Sequence, residues 1–381
     1  MKRILILGGG FGGLIAAERL ADALGKEHQI TLVSTNPDFI FYPALVHLAF
    51  GETEEEDIVF NLTEKMKSLG VRFVQGEALN INTQFRRVKV TGADFNGEIS
   101  YDYLIIAVGR RLATEKIGGF FEHSHHLLNI KSALKFREAI QNFKEGNIVV
   151  GLCPESRLPV PVCETAFALS RKFKTDVQGG KVTIRVIFPE TIEAAFGGAD
   201  VHRELTGAFE KHGIEVIENF PIREISATQI ISDKNEKLDY DLPMLSPPFR
   251  GQTIVGNIRN ASGAGIADVA AYAKVHDTMK VHNLEGIYAV GDIVAFSGPK
   301  FAHQAVGQAG VAAENIISEI KGEEPDAVYY HEIATIIDEG GADSIYLHYG
   351  IWDDNLYNLK KGRFWHWTKE IHDKFWRRLH K

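Results

Sequence analysis

The stretch KRILILGGGFGGLIAAERLADAL near the start of the chain constrains the fold more than any other. An apolar run enters a glycine turn and leaves it as a segment with apolar residues at helical spacing. Gly8, Gly10 and Gly13 fit G-x-G-x-x-G. The first glycine permits the tight turn, the second lets the backbone approach a pyrophosphate, and the third lets the helix pack against its sheet. The helix N-terminus then stabilises the negative charge. A second strand, QITLVS, follows at the expected distance. The position that usually carries an acidic ribose ligand holds Ser34, with Thr35 and Asn36 behind it. A hydroxyl still bonds a ribose, so a dinucleotide site is expected here.

Two later segments have related punctuation. YDYLIIAVGRR, from Tyr101, is a strand ending in A-x-G, and GIYAVGDIV, from Gly286, is a strand ending in Gly291-Asp292. Taken as a set, the three motifs resemble the two-dinucleotide-binding-domain flavoproteins, which include disulfide reductases, type II NADH dehydrogenases and sulfide:quinone oxidoreductases. The resemblance implies FAD as cofactor, with Asp292 in the place of the aspartate that bonds the ribityl chain. The cofactor-binding residues it implies are Gly8, Gly10, Phe11, Gly12, Gly13, Ser34, Thr35, Pro43, Ala107, Gly109, Arg110, Gly291, Asp292 and Ala302.

The expected architecture is therefore α/β: two Rossmann-like dinucleotide-binding domains and a small C-terminal unit. The FAD domain is split between 1–115 and 266–325. Residues 116–265 form an inserted domain, and 326–381 form a C-terminal unit too short to hold a core alone. The run Glu52–Asp57 is read as a solvated acidic turn.

The insert opens as GNIVVGLCPESRLPVPVCETAF. In nicotinamide-using relatives its first strand runs into a second glycine-rich turn. After Gly151 there is no further glycine before the helix, and prolines crowd the space and remove N–H donors. A nicotinamide site is not expected, although Arg157 is a phosphate-contacting candidate. Within the group, the chain is most similar to the sulfide:quinone oxidoreductases and to the flavoprotein subunit of flavocytochrome c sulfide dehydrogenase. FYPALVHLAFG from Phe41, SPPFRG from Ser246 and GRFWHWTKEIHDKFWRRL from Gly362 add to the likeness. That family carries a catalytic cysteine in the insert loop and a partner in the C-terminal unit. Here the corresponding positions hold Leu158 and Thr335, so polysulfide chemistry on two cysteines does not carry over.

The only cysteines are Cys153 and Cys163. Either they form a redox or persulfide pair, with Cys163 activated at a helix start, or they are small residues packing a loop. Glu164 is either a proton relay or a first-turn charge complementing the helix dipole. With Cys153 and Cys163 it completes the candidate catalytic set. Along PKFAHQAVGQAGVAAENI, Gln304 and Gln308 share a helix face and match the A-Q-x-x-x-Q pattern of type II NADH dehydrogenases. With Lys300 and His303 they form the candidate quinone or acceptor site; the alternative is that they bond nearby backbone. His123, His125 and His126 lack Cys or acidic partners at ligand spacing, so no metal is expected.

Net charge is −8, yet Lys360–Lys381 hold eight Lys or Arg against two acidic residues, leaving about −14 on the rest. Nucleic acid is thereby an unfavourable partner. All four tryptophans fall at 352, 365, 367 and 376. Phe364, Trp367, Ile371, Phe375 and Leu379 recur every three or four positions among basic residues. Such a helix suits an anionic membrane surface; the alternative is docking on its own subunit or on a homodimer partner. Without a leader, a spanning run or a disulfide framework, the expected place is the cytoplasm, attached peripherally to the inner face of the cell membrane. The expected function is an FAD-dependent oxidoreductase passing electrons from a small reductant such as sulfide to quinone. The alternatives are a type II NADH:quinone oxidoreductase and a non-catalytic flavin-binding sensor or assembly protein.

Overall fold

The computed structural model describes residues 1–93, 95–260, 262–340, 343–353 and 355–381. Two parallel sheets carry the two α/β halves. In the first, strands run in the order Ile287–Ala289, Tyr103–Ile106, Arg3–Leu7, Gln29–Ser34 and Arg72–Gln75. The second orders Ile214–Ile217, Val182–Ile187, Gly146–Leu152 and Leu242–Ser246. Strands such as ILIL, YLII and IVVGL are apolar throughout because helices and loops cover both faces. An antiparallel ribbon, Arg110–Leu112 against Phe249–Gly251, joins the outgoing and returning chains between the two halves.

The C-terminal segment forms an antiparallel sheet of Glu332–Ile337, Ser344–Gly350 and Tyr357–Gly362, followed by the helix Arg363–His380. Ile333, Ile337, Ile345 and Leu347 belong to the same buried cluster as the first sheet, so this segment borrows its core from the body. The helix docks through one face only. Trp376 lies 4.9 Å from the Phe11 ring and 5.2 Å from Phe41, and His380 meets Glu18 at 2.7 Å. On the opposite face Phe364, Trp367, Ile371, Phe375 and Leu379 are each more than half exposed. Self-docking and an outward apolar face, posed as alternatives from the sequence, coexist.

Candidate functional site

The glycine turn lies between the end of the first strand and the helix Phe11–Leu24. Gly13 packs so tightly that an added Cβ would lie 1.8 Å from the Gly8 carbonyl oxygen. At Gly12 it would lie 2.9 Å from Val290 Cγ2, whereas at Gly10 it would meet nothing within 4 Å. Gly10 is an extended N-cap without a capping side chain, so the first-turn N–H groups face open space. This is the cradle a pyrophosphate needs. Phe11 packs on Phe39 and Phe41 beside it, and Ala107 and Gly109 close the neighbouring strand end. Ser34 behaves differently from expectation: its hydroxyl donates to the Asn36 carbonyl at 2.8 Å and holds the turn. Thr35 is exposed.

Where the two halves meet, charges converge. Arg110 pairs with Asp292 at 2.5 Å and stacks over Phe249 at 4.0 Å. Tyr42, next to Pro43, feels both Arg110 and Asp292, and burial raises its pKa. The backbone N–H of Lys300, two residues before Ala302, donates to the Arg157 carbonyl at 2.9 Å, tying the insert loop to the segment after Gly291-Asp292. The Lys300 side chain is 5% exposed, and its Nζ donates to Val294 at 2.6 Å. Burial, then the Arg157 charge, lowers the Lys300 pKa to about 7. Tyr272 and Asp268, from the loop that follows the strand Phe249–Gly251, complete this cluster. No motif marks them; two separated cations over one aromatic ring come together only when the loop folds back.

The insert turn is closed. A Cβ on Gly151 would lie 2.2 Å from Ile187 Cγ1, so this glycine serves strand packing. Glu155 pairs with Lys116 and stands 3.8 Å from Arg250. Ser156 and Ser246 hydroxyls bond at 2.8 Å. The helix begins at Pro159, and Pro161 follows, removing two of its first three N–H donors.

Both cysteines are free and buried. Cys163 lies in the main core and Cys153 in the second cluster with Ile117, Phe120 and Val149. Because the helix starts four residues earlier, Cys163 sits past its first turn, and burial pushes both thiols up. Desolvation disfavours the thiolate form of both. Glu164, 6% exposed, instead forms an ion pair with Lys369 of the C-terminal helix and accepts the Asp338 N–H at 2.9 Å. Burial opposes the Lys369 charge, but Glu164, Asp373 and Asp338 outweigh it and hold its pKa up. Asp338 is buried too, which works against its charge. Bonds from Gly340, Ser344 and His366 prevail and bring its pKa to about 2. His47 and Glu52 meet at 2.6 Å nearby.

The glutamines are not both free for one ligand. Gln304 accepts from Phe301 N at 3.1 Å and donates to Glu332 O at 2.9 Å. Gln308 accepts from Gly291 N at 2.7 Å, bracing the Gly-Asp turn. Burial lowers the His303 pKa to about 4, and its Nε2 accepts from Ala334 N at 3.2 Å. A ring nitrogen that accepts a backbone N–H is not a ready proton donor. The histidine run stays dispersed among aromatics: His126 stacks on Phe120, while His125 lies against Phe136.

The chain is 26% identical over 363 residues to the sulfide-quinone reductase of Aquifex aeolicus, covering 90% of this chain and 82% of the relative. It is 24% identical to the mitochondrial sulfide:quinone oxidoreductase of Mus musculus, covering 86% and 73%. The X-ray structure of the Aquifex aeolicus sulfide:quinone oxidoreductase superposes with a TM-score of 0.88 at 25% identity, covering 98% of this chain and 90% of that one. Residues 2–309 match the pyridine nucleotide-disulphide oxidoreductase family, and with both parallel sheets and the glycine cradle in that span, the chain belongs to it.

Proposed function

We propose that this chain is an FAD-dependent oxidoreductase of the sulfide:quinone oxidoreductase type, taking electrons from a small reductant and delivering them to quinone at a membrane surface. The observation that carries the reading is the closed insert turn. Pro159 and Pro161 stand in the first helical turn, and Gly151 is packed on Ile187. A nicotinamide pyrophosphate finds neither room nor donors there.

FAD fits the residues present: the bare face of Gly10, the uncapped helix start at Phe11 and the Arg110 and Asp292 side chains would hold it. When bound, it supplies the two-electron chemistry. The remaining tasks fall to the protein. Glu164 and Lys369 hold a proton at Lys369 Nζ in a site screened from water, where reduction of a quinone consumes protons. The outward stripe from Phe364 to Leu379, flanked by Lys374 and Arg378, suits insertion among anionic headgroups and brings the protein to a lipid-borne acceptor. No helix among the described residues is long and apolar enough to cross a membrane, so this contact is a surface one.

The test is anaerobic mixing of the flavin-loaded protein with sulfide or with NADH, following flavin bleaching before and after adding a quinone. Bleaching by sulfide and recovery with quinone are expected. Fast bleaching by NADH overturns the reading, and bleaching by neither donor favours a non-catalytic flavoprotein.

A further inference from the structure

The segment Gly291 to Ser297 carries Asp292 and leads from the strand Ile287–Ala289 toward the helix Ala302–Lys321. Its only regular structure is one short turn, Gly291–Ile293, so its shape depends on what holds it from outside. The middle is tied to Ala273, whose N–H donates to the Ile293 carbonyl at 2.8 Å and whose own carbonyl accepts from Ala295 at 2.9 Å. The two ends are held by side chains. Gly291, at φ +80°, donates its N–H to Gln308 Oε1, and the Ser297 carbonyl accepts from His331 Nε2 at 2.8 Å.

Tyr329 joins these two anchors. Its hydroxyl stands 3.4 Å from His331 Nδ1, and the Gln308 side chain bears on the same hydroxyl, opposing the rise in pKa that burial causes. The direction of each bond is fixed. A carbonyl only accepts, so His331 carries its proton on Nε2 and offers a lone pair at Nδ1 to the Tyr329 hydroxyl. Burial lowers the His331 pKa, which keeps the ring neutral for that role. Because Oε1 of Gln308 is taken by Gly291, its NH2 group is the one left for the Tyr329 oxygen. All three side chains are buried. A Cβ at Gly307 would crowd Tyr329 Cε2 at 3.3 Å. Glycine within a helix is destabilising; here it admits the Tyr329 ring beside Gln308. Phe296, from the segment itself, packs on the pair, 6.0 Å from the Tyr329 ring and 5.2 Å from His331.

We propose that Tyr329 and His331 are positioning residues for the cofactor: they lock both ends of the Gly291–Ser297 segment and so set where Asp292 is presented. Both lie beyond residues 2–309, the span that matches the family, so the C-terminal segment completes a site whose motifs all precede it. The inference rests on the FAD reading above.

The experiment follows FAD release from the flavin-loaded protein after dilution, by flavin fluorescence, together with hydrogen exchange of the peptide 286–297. Tyr329→Phe should speed both about tenfold, and His331→Leu at least as much. His331→Gln keeps a donor for Ser297 and should recover most of the slow release. Tyr240→Phe is the control for losing a buried hydroxyl, since Tyr240 donates to Ser226 and His123 in the insert. It should lower the melting temperature comparably and leave release and exchange unchanged. If Tyr329→Phe releases FAD as slowly as the unaltered protein, or no faster than Tyr240→Phe, the inference is overturned while the FAD reading stands. If the unaltered protein retains no FAD, both fall.

Discussion

Removing Lys369 should loosen the C-terminal helix far more than removing its partner. The side chains of Glu164 and Lys369 are 7% and 14% exposed, so each charge depends on what surrounds it. Lys369 feels Glu164, Asp373 and Asp338, whereas Glu164 has Lys369 and the Asp338 N–H. Lys369→Met therefore strands a buried carboxylate and should cost about 3–5 kcal/mol, the usual penalty for breaking a buried pair from one side. Glu164→Gln keeps an acceptor for Asp338 N and leaves Lys369 two carboxylates, so about 1–2 kcal/mol is expected. The double variant, with neither charge buried, should be more stable than Lys369→Met alone. Urea unfolding followed by tryptophan emission is a direct assay, because all four tryptophans lie between 352 and 376. The reasoning fails if Lys369→Met costs under about 1 kcal/mol, or if the two single effects simply add.

Asp338 should make the same region sensitive to acid. Its pKa of about 2 against an ordinary 3.8 is a depressed carboxyl, so a stabilisation on the order of 2 kcal/mol is present above pH 4 and lost as pH falls toward 2. Asp338→Asn should remove most of that pH dependence in urea midpoints measured between pH 5 and pH 2.5. Gly10→Ala should fold but lose flavin, read as the absorbance of the purified protein, while Gly13→Ala should fail to fold because of its 1.8 Å clash with Gly8. Serine at Trp367, Ile371 and Phe375 should abolish flotation with anionic vesicles without shifting the melting temperature, since these side chains face outward. Cys153 and Cys163, both fully buried, should resist an aqueous thiol reagent in the native state and react only on unfolding.

The glycine cradle was readable because its constraints are local. Gly13 answers to the Gly8 carbonyl within one strand–turn–helix unit, so its spacing implies the geometry, whereas Gly8 and Gly12 meet Ala107 and Val290 from later strand ends of the same sheet. At Cys163 a local rule meets a long-range one: a helix start lowers a thiol pKa, but prolines already start the helix earlier, and burial pushes the thiol up. Gln304 and Gln308 share a face as their spacing requires, yet what that face meets is set by Gly291 and by Glu332 on another element. Tyr272 and Arg157 are further beyond reach, lying in loops 115 residues apart whose pairing no periodicity encodes. The C-terminal helix shows the same limit in its sharpest form. Aromatic residues point both ways, with Trp376 packed on Phe11 and Trp367 exposed. A pattern of apolar positions can count such faces but cannot say which is covered by the chain itself. The packing of Trp376 and Lys369 decides that, and it leaves the Phe364–Leu379 stripe as the exposed face.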